Sequence, residues 1–345
     1  MSDDMQGHLA SYYAQAFPAR EGVQITGLAE ISAGWESDMY SFAAESGPAG
    51  ARQREELILR LYSGDDAHAK SARERRGMGL LYDAGYPVPR VLVLERDDSP
   101  FGRPFLIMER IRGQQMWPVW FRSSGEKQQD LLTLFCRLFV RLHTLEWQPF
   151  VQEPASFDAL DPYAPLDREL DRLRPYVERF PIPGFLPVIA WLEERRVPCR
   201  RPSVIHWDYH PANILLREDG SAVVVDWTQV DVSDSRFDLA WTLLLVSTHE
   251  GRAWYERILH EYERLAGAEV EQLAFFEVYA CMKRLYSIVA SLTYGPETLG
   301  MRPAAEAIMR RQLGASKRVY ELLLDRTGIV VPEVEEILQD AGGNG

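Results

Sequence analysis

Residues 204–240 read VIHWDYHPANILLREDGSAVVVDWTQVDVSDSRFDLA. The stretch predicts loop, strand, tight turn, strand, loop and helix start. His206, Asp208 and Asn213 fall on the first loop. Ile214 to Arg217 is a short apolar run, and Ala222 to Val225 is a second. Glu218-Asp219-Gly220 between them is turn chemistry, so a β-hairpin is expected. Asp226 ends the second run. The hairpin is expected to fold it back towards Asp208 and Asn213, so that two carboxylates and an amide converge.

Such a group has a chemical use. Mg²⁺ is a hard cation that takes oxygen ligands and keeps phosphate oxygens in its shell. One carboxylate and one amide oxygen suffice to hold it against a nucleotide. A second carboxylate without metal duty can take the proton of an attacking hydroxyl. Protein kinases write this arrangement as H-R-D-x-x-x-x-N followed by the Asp of D-F-G. His206-x-Asp208-x-x-x-x-Asn213, with Asp226 closing the next hairpin, has the same spacing. The competing reading is ordinary turn and capping residues of a globular domain.

The resemblance is narrower than a protein kinase. Two residues after the base, Ser/Thr kinases usually carry Lys, whereas this chain has His210-Pro211-Ala212-Asn213. That form resembles the aminoglycoside phosphotransferase family, which includes choline-kinase-like, homoserine-kinase-like and macrolide-kinase-like enzymes. Asp234-Ser235-Arg236-Phe237-Asp238-Leu239-Ala240 looks like the family's D-x-x-x-D-L-A element. No A-P-E follows Asp226, and the interval to Asp238 is too short for a peptide-holding activation segment. The chain departs from the family at Trp207, where Gly is usual, and carries Trp227 where protein kinases have Phe.

The resemblance implies an α+β, protein-kinase-like bilobal fold. Its N-lobe, residues 1–111, would hold an antiparallel sheet plus a helix and bind nucleotide. A largely helical C-lobe, residues 112–340, would hold the catalytic loop and acceptor site. Asp208 would be base or orienter, Asn213 and Asp226 would bind Mg²⁺, and the γ-phosphate of ATP or GTP would pass to a hydroxyl of a small acceptor. Aminoglycosides and other amine-bearing molecules are the acceptors in view. His206 would be structural, and Asp238 would brace the catalytic loop. The rivals are a nucleotide-binding pseudokinase with a regulatory role and a protein kinase.

Upstream, Val23–Ile31 and Met39–Ala43 read as strands around Ser32–Asp38. By resemblance this is the phosphate-covering loop, with Gly34 and Ser37 nearest the phosphates; a plain hairpin turn is the other reading. Glu55–Tyr62 alternates, with Leu57, Leu59 and Leu61 on one face and Ile58 and Arg60 on the other. The resemblance sends Arg60 to the α/β-phosphates and lays Ile58 over the adenine; a solvent-facing Arg is the alternative. Ala67–Ala84 reads as a helix whose inward stripe includes Glu74. A carboxylate there is costly unless paired, and Arg60 is the expected partner, with a surface pair to Lys70 as the bland alternative. Glu109–Gly113 resembles the hinge, where main-chain groups of Glu109 and Ile111 would meet the purine.

Elsewhere helices are expected over His8–Phe17, Glu126–Thr144, Leu166–Val197 with a break around Pro181-Ile182-Pro183-Gly184, Trp241–Ser247, Arg252–Leu265, Val270–Leu292, Pro303–Leu324 and Pro332–Asp340. Trp117, Trp120 and Trp254 are either core or a cation–π wall for an amine. Asp231, Asp234 and Glu250 are either contacts for an amine or solvated carboxylates.

Composition bounds the reading. The 345 residues suit two lobes. A net charge of −13 argues against nucleic acid or an anionic membrane as partner. Three scattered cysteines form no metal pattern and fit a reducing compartment. The N-terminus lacks an apolar signal core and no run of 18 uncharged apolar residues occurs, so a cytoplasmic protein is expected. The terminal AGGNG is expected to fray.

Overall fold

The structure, a computed structural model, describes residues 2–31, 37–48, 50–97, 99–151, 161–299, 301 and 305–342. The expected phosphate-loop residue Gly34 and residues 343–345, part of the terminal AGGNG expected to fray, lie outside them. In chain order the elements are α1 (Ser2–Ala16), β1 (Gln24–Ile31), β2 (Ser37–Ser46), β3 (Gln53–Tyr62), α2 (Ala67–Asp83), β4 (Val91–Glu95), β5 (Phe105–Glu109) and β6 (Gln114–Gln115). Then come α3 (Met116–Arg122), α4 (Gly125–His143), α5 (Ala164–Arg179), α6 (Leu186–Glu194), β7 (Pro202–Ile205), β8 (Ile214–Leu216), β9 (Ala222–Val224) and β10 (Asp231–Asp234). The chain closes with α7 (Ser235–Glu250), α8 (Ala253–Ala266), α9 (Leu273–Tyr294), α10 (Ala305–Arg311), α11 (Leu313–Thr327) and α12 (Pro332–Gly342). The chain packs as two compact units, 1–114 with 215–229 and 115–214 with 230–345. This is the bilobal α+β plan, a sheet plus helix followed by a mostly helical lobe. The hairpin 215–229, however, groups with the first unit.

In the first unit an antiparallel sheet runs in the order β1-β2-β3-β5-β4. Period-two alternation on β3 decides what each face buries. Leu57, Leu59 and Leu61 join Phe42, Phe105 and Ile107 in one core, closed by Leu9 and Tyr13 of α1. Leu9 and Tyr13 are four residues apart and share one helix face, so α1 is part of the lobe's core and longer than its periodicity indicated. The residues between them on β3, Ile58 and Arg60, are also buried, on the side met by α2. Both faces of β3 are therefore covered.

The β8–β9 hairpin turns as expected. Arg217 N donates to Ser221 O at 2.8 Å and Gly220 N to Arg217 O at 3.1 Å. Gly220 takes φ +81°, which a side chain would resist. Val224 N then bonds Pro87 O at 2.9 Å, tying β9 to the breaker after α2. Gly113 is needed for another reason. A Cβ there would lie 2.5 Å from Leu216 O, so only glycine lets β8 approach.

The second unit is helical around α4, α7, α8, α9 and α11, with one two-stranded ribbon in which β7 and β10 pair antiparallel, Ile205 opposite Asp231. Two helices begin or break where periodicity alone did not show it. α7 starts six residues before Trp241, because Asp234 Oδ1 caps it by accepting Arg236 N at 2.9 Å. The single helix expected over Pro303–Leu324 is interrupted at Gln312, whose N–H is shared between Ile308 O and Met309 O. Among the described residues no helix is long and apolar enough to cross a membrane.

Candidate active site

The second unit presents the catalytic loop at the end of β7. One face of α7 holds it, residue by residue. Asp238 is wholly buried, and its two oxygens accept His206 N and Trp207 N, each at 2.6 Å. Trp241, three residues on, donates Nε1 to Asp208 Oδ1 at 2.9 Å. Thr242, four residues on, donates its hydroxyl to Tyr209 O at 2.6 Å. Spacings of three and four put all three side chains on one side of the helix. Asp238 is therefore the brace its position implied. His143 Nε2 lies 3.4 Å from Asp238 Oδ2, with its other nitrogen 2.9 Å from the Tyr262 hydroxyl.

His206 is fully buried and its Nδ1 accepts Asp208 N at 3.3 Å, a structural role. Tyr209 anchors the loop from below, stacked on Phe139 at 4.0 Å and donating its hydroxyl to Phe135 O at 2.9 Å. Trp207 sits at φ +68°, the left-handed region where only glycine is free of strain. That is a backbone reason for the family's usual Gly. Here the indole is packed against Phe237 and Tyr279 instead.

Asp208 is half-buried and burial pushes its pKa up. His210, 3.4 Å from Oδ2, and the Trp241 N–H outweigh burial and hold the carboxyl well below the usual carboxylate range. Asn213 donates its amide nitrogen to Asp208 O at 3.0 Å and Oδ2 at 3.3 Å. That orientation reserves Asn213 Oδ1, an oxygen acceptor, for another partner. The His210 ring lies edge-on to Trp117, whose Nε1 donates to Glu250 at 2.6 Å.

The first unit collects the other charged residues. Arg60 is 5% exposed and Glu74 1%. The guanidinium bridges two carboxylates, Nη1 to Glu74 Oε1 at 3.0 Å and Nη2 to Asp226 Oδ1 at 2.9 Å. Burial lowers the Arg60 pKa, but the Glu74 and Asp226 charges overcome it and raise it. Tyr62 donates to the second Glu74 oxygen. Glu74 is thus paired across to Arg60 rather than to Lys70, which meets Asp66. Asp226 keeps 43% of its side chain exposed and sits at φ +67°, a strained backbone that aims the carboxylate while Trp227 is buried beside Tyr86.

Ile58 lies on the Arg60 face of β3, and Ser37 opens β2 opposite Tyr62. The Glu109 N–H is already bonded to Arg90 O at 2.9 Å, so of its main-chain groups only the carbonyl remains to meet a base. Its side chain pairs with Arg217 at 3.1 Å. Ile111 lies two residues beyond the end of β5.

Among the described residues no cluster of three or more His, Cys, Asp or Glu is placed to hold a metal. The second unit offers the Asn213 amide oxygen and the first unit the Asp226 carboxylate. Each is a hard donor of the type Mg²⁺ takes, an ion that keeps waters and phosphate oxygens rather than filling an all-protein cage.

One residue that touches Asp208 was not singled out by motif: Trp241. Trp241 was findable, since it stands at helical spacing from Asp238. Of the tryptophans offered as an amine-binding wall, Trp120 is fully buried and Trp254 nearly so, packed on each other, and Arg257 covers the Trp254 face at 3.9 Å. They are core. Of the acids, Asp231 pairs with Arg172 at 2.7 Å and Asp234 with Arg236 at 2.6 Å.

The sequence profile of the phosphotransferase enzyme family matches residues 27–276. A curated relative, acyl-CoA dehydrogenase family member 10 of Mus musculus, is 28% identical over 182 residues, which are 52% of this chain but 17% of that protein. Among solved structures, a candidate aminoglycoside phosphotransferase of Ralstonia eutropha has TM-score 0.62 at 16% identity, covering 98% of both chains. The GDP and kanamycin complex of APH(2″)-IIIa has TM-score 0.58 at 13% identity, covering 93% of this chain and 98% of that one. At such identities these two show the fold.

Proposed function

Because this chain belongs to the phosphotransferase enzyme family, we propose that it transfers the γ-phosphoryl group of ATP or GTP to a hydroxyl of a small molecule. The observation that carries the reading is the state of Asp208. Its carboxylate is held ionised beside His210 and Trp241, at the tip of a loop fixed by four hydrogen bonds from one helix face. An acceptor hydroxyl hydrogen-bonded to it is oriented for attack. A bond forms from that oxygen to the γ-phosphorus as the bond to the β,γ-bridging oxygen breaks. Nucleoside diphosphate leaves, and the hydroxyl proton departs towards Asp208. A carboxylate of such low basicity takes the proton late, so Asp208 acts chiefly by orientation. Such a reaction depends on positioning and charge neutralisation more than on covalent help.

Asn213 Oδ1 and Asp226 are the residues proposed to hold Mg²⁺, which would neutralise charge on the phosphates. Arg60, fixed by Glu74, is proposed to reach the α/β-phosphates. Ser37 is proposed beside the phosphates, and Ile58 against the base, with the Glu109 carbonyl and the Ile111 main chain at its edge. Gly34 is assigned there by resemblance alone. The test is calorimetric titration of Mg²⁺-nucleotide. Asp226→Ala should weaken binding at least about tenfold, while Asp208→Ala should leave it within about threefold. Equal loss in both variants would refute the division of roles.

A further inference from the structure

Within the second unit, the surroundings of Asp208 are cationic. α9 places Lys283 and Arg284 consecutively. Lys283 Nζ stands 4.5 Å from the centre of the Trp207 ring and 5.1 Å from that of Trp241. Both are tied to the reactive carboxylate, one as its chain neighbour and the other through the 2.9 Å bond to Oδ1. Arg284 is half-buried and reaches Gln312 Oε1 at 2.7 Å. Burial lowers its pKa, and the Asp208 charge works against that. Burial also pushes the His249 pKa down, helped by Arg284 and Arg318, while the Glu250 carboxylate opposes.

Of the acids that would recognise an amine, two are claimed by arginines and the third has one oxygen engaged. Asp231 lies between Arg172 and Arg168, Asp234 is held by Arg236, and Glu250 accepts the Trp117 N–H. An organic cation is often recognised on the face of an indole. Here Lys283 is over the Trp207 and Trp241 rings, and Arg257 is over Trp254. A polyamine acceptor approaching Asp208 would meet the like charge of Lys283 on the two indoles beside it. In a chain of net charge −13, this local reversal of sign needs a cause in the site itself.

Resting on the phosphotransfer reading above, we infer that Lys283 and Arg284 form an acceptor subsite for an anionic group, so that the acceptor is a hydroxylated carboxylate or phosphoester rather than an amine. Lys283, over the two indoles beside Asp208, and Arg284, next to it on α9, would fix the anion while its neighbouring hydroxyl meets the carboxylate.

The test measures nucleoside diphosphate release by the full chain with Mg²⁺ and ATP or GTP. The anionic arm is glycerate, 3-hydroxybutyrate and glycerol 3-phosphate, which separates carboxylate from phosphoester. The control arm is 3-hydroxybutyramide, glycerol, choline and kanamycin. The expected result is stimulation by the anionic arm alone. Lys283→Gln and Arg284→Gln should each raise KM for the active anion about tenfold with nucleotide KM unchanged, and Lys283→Arg and Arg284→Lys should recover much of it. Turnover of a neutral or cationic compound with the anions neither turned over nor bound in a thermal shift would overturn the inference and leave phosphotransfer standing. So would acceptor KM unmoved by both Gln variants, or a loss confined to nucleotide KM. Stimulated release that survives Asp208→Asn would instead refute the phosphotransfer reading.

Discussion

Replacing Asp238 by alanine strips the catalytic loop of its main support. The carboxylate is fully buried and accepts two successive main-chain N–H groups at 2.6 Å. Each becomes an orphaned donor in the variant, at a cost of about 1–3 kcal/mol apiece, so a loss of roughly 2–6 kcal/mol is expected. Against a typical total of about 5–15 kcal/mol, that is a large share. Asp238→Asn keeps one acceptor oxygen and turns an NH₂ towards the other amide, so it should lose about half as much or slightly more. Urea titrations followed by tryptophan fluorescence give the stability, and hydrogen exchange of the peptide spanning 206–209 gives the local effect. Protection of the His206 and Trp207 amides should collapse in the alanine variant. Nucleotide binding should persist, because Arg60, Glu74 and Asp226 belong to the other unit. A variant within about 0.5 kcal/mol of wild type, with those amides still protected, would refute the bracing argument.

Three further outcomes follow from the same geometry. Trp207→Gly relieves left-handed strain of about 1 kcal/mol but removes an indole packed on Phe237 and Tyr279, so a net destabilisation of about 2–4 kcal/mol is expected by urea titration; a more stable variant would contradict it. Arg60→Lys cannot span Glu74 and Asp226 with one flat fork, and should keep the fold while weakening nucleotide binding about tenfold, whereas Arg60→Met strands Glu74 and should cost about 3–5 kcal/mol of stability; equal stability of the Met variant would refute the pairing. Because the folded pKa of Asp208 is depressed, its contribution to stability is present above the unfolded carboxylate pKa of about 4 and is lost as pH falls through the folded value. Its carboxyl carbon, followed by carbon-13 NMR, should show no titration between pH 4 and 8, and a midpoint in that range would overturn the assignment.

Much of this was readable from residue types and spacing, because the chemistry is local in sequence. His206, Asp208 and Asn213 share one loop, and Glu218-Asp219-Gly220 announces the hairpin that carries Asp226. The Arg60–Glu74 pair was legible because an acid on a helix's apolar stripe demands a partner. What escaped was long-range. That Arg60 also grips Asp226, 166 positions away, has no local signal. Lys283 and Arg284 sit in a helix rich in buried aliphatic and aromatic residues, where two basic residues read as a solvated edge. The early start of α7 was missed because Asp234 was weighed as a possible ligand contact rather than as a cap. Trp120 and Trp254 resolve to the core reading, as an aromatic at helical spacing usually does.

The central claim rests on Asp208 acting on an acceptor hydroxyl. It is met most directly by acceptor-stimulated release of ADP or GDP with Mg²⁺ across hydroxylated acids, phosphoesters, sugars, amino alcohols and aminoglycosides, run in parallel on wild type and Asp208→Ala. The account predicts stimulated release from one chemical class in wild type and none in the variant, with nucleotide affinity retained. Nucleotide bound by wild type but never turned over faster with any acceptor, or stimulation that persists in Asp208→Ala, would contradict it.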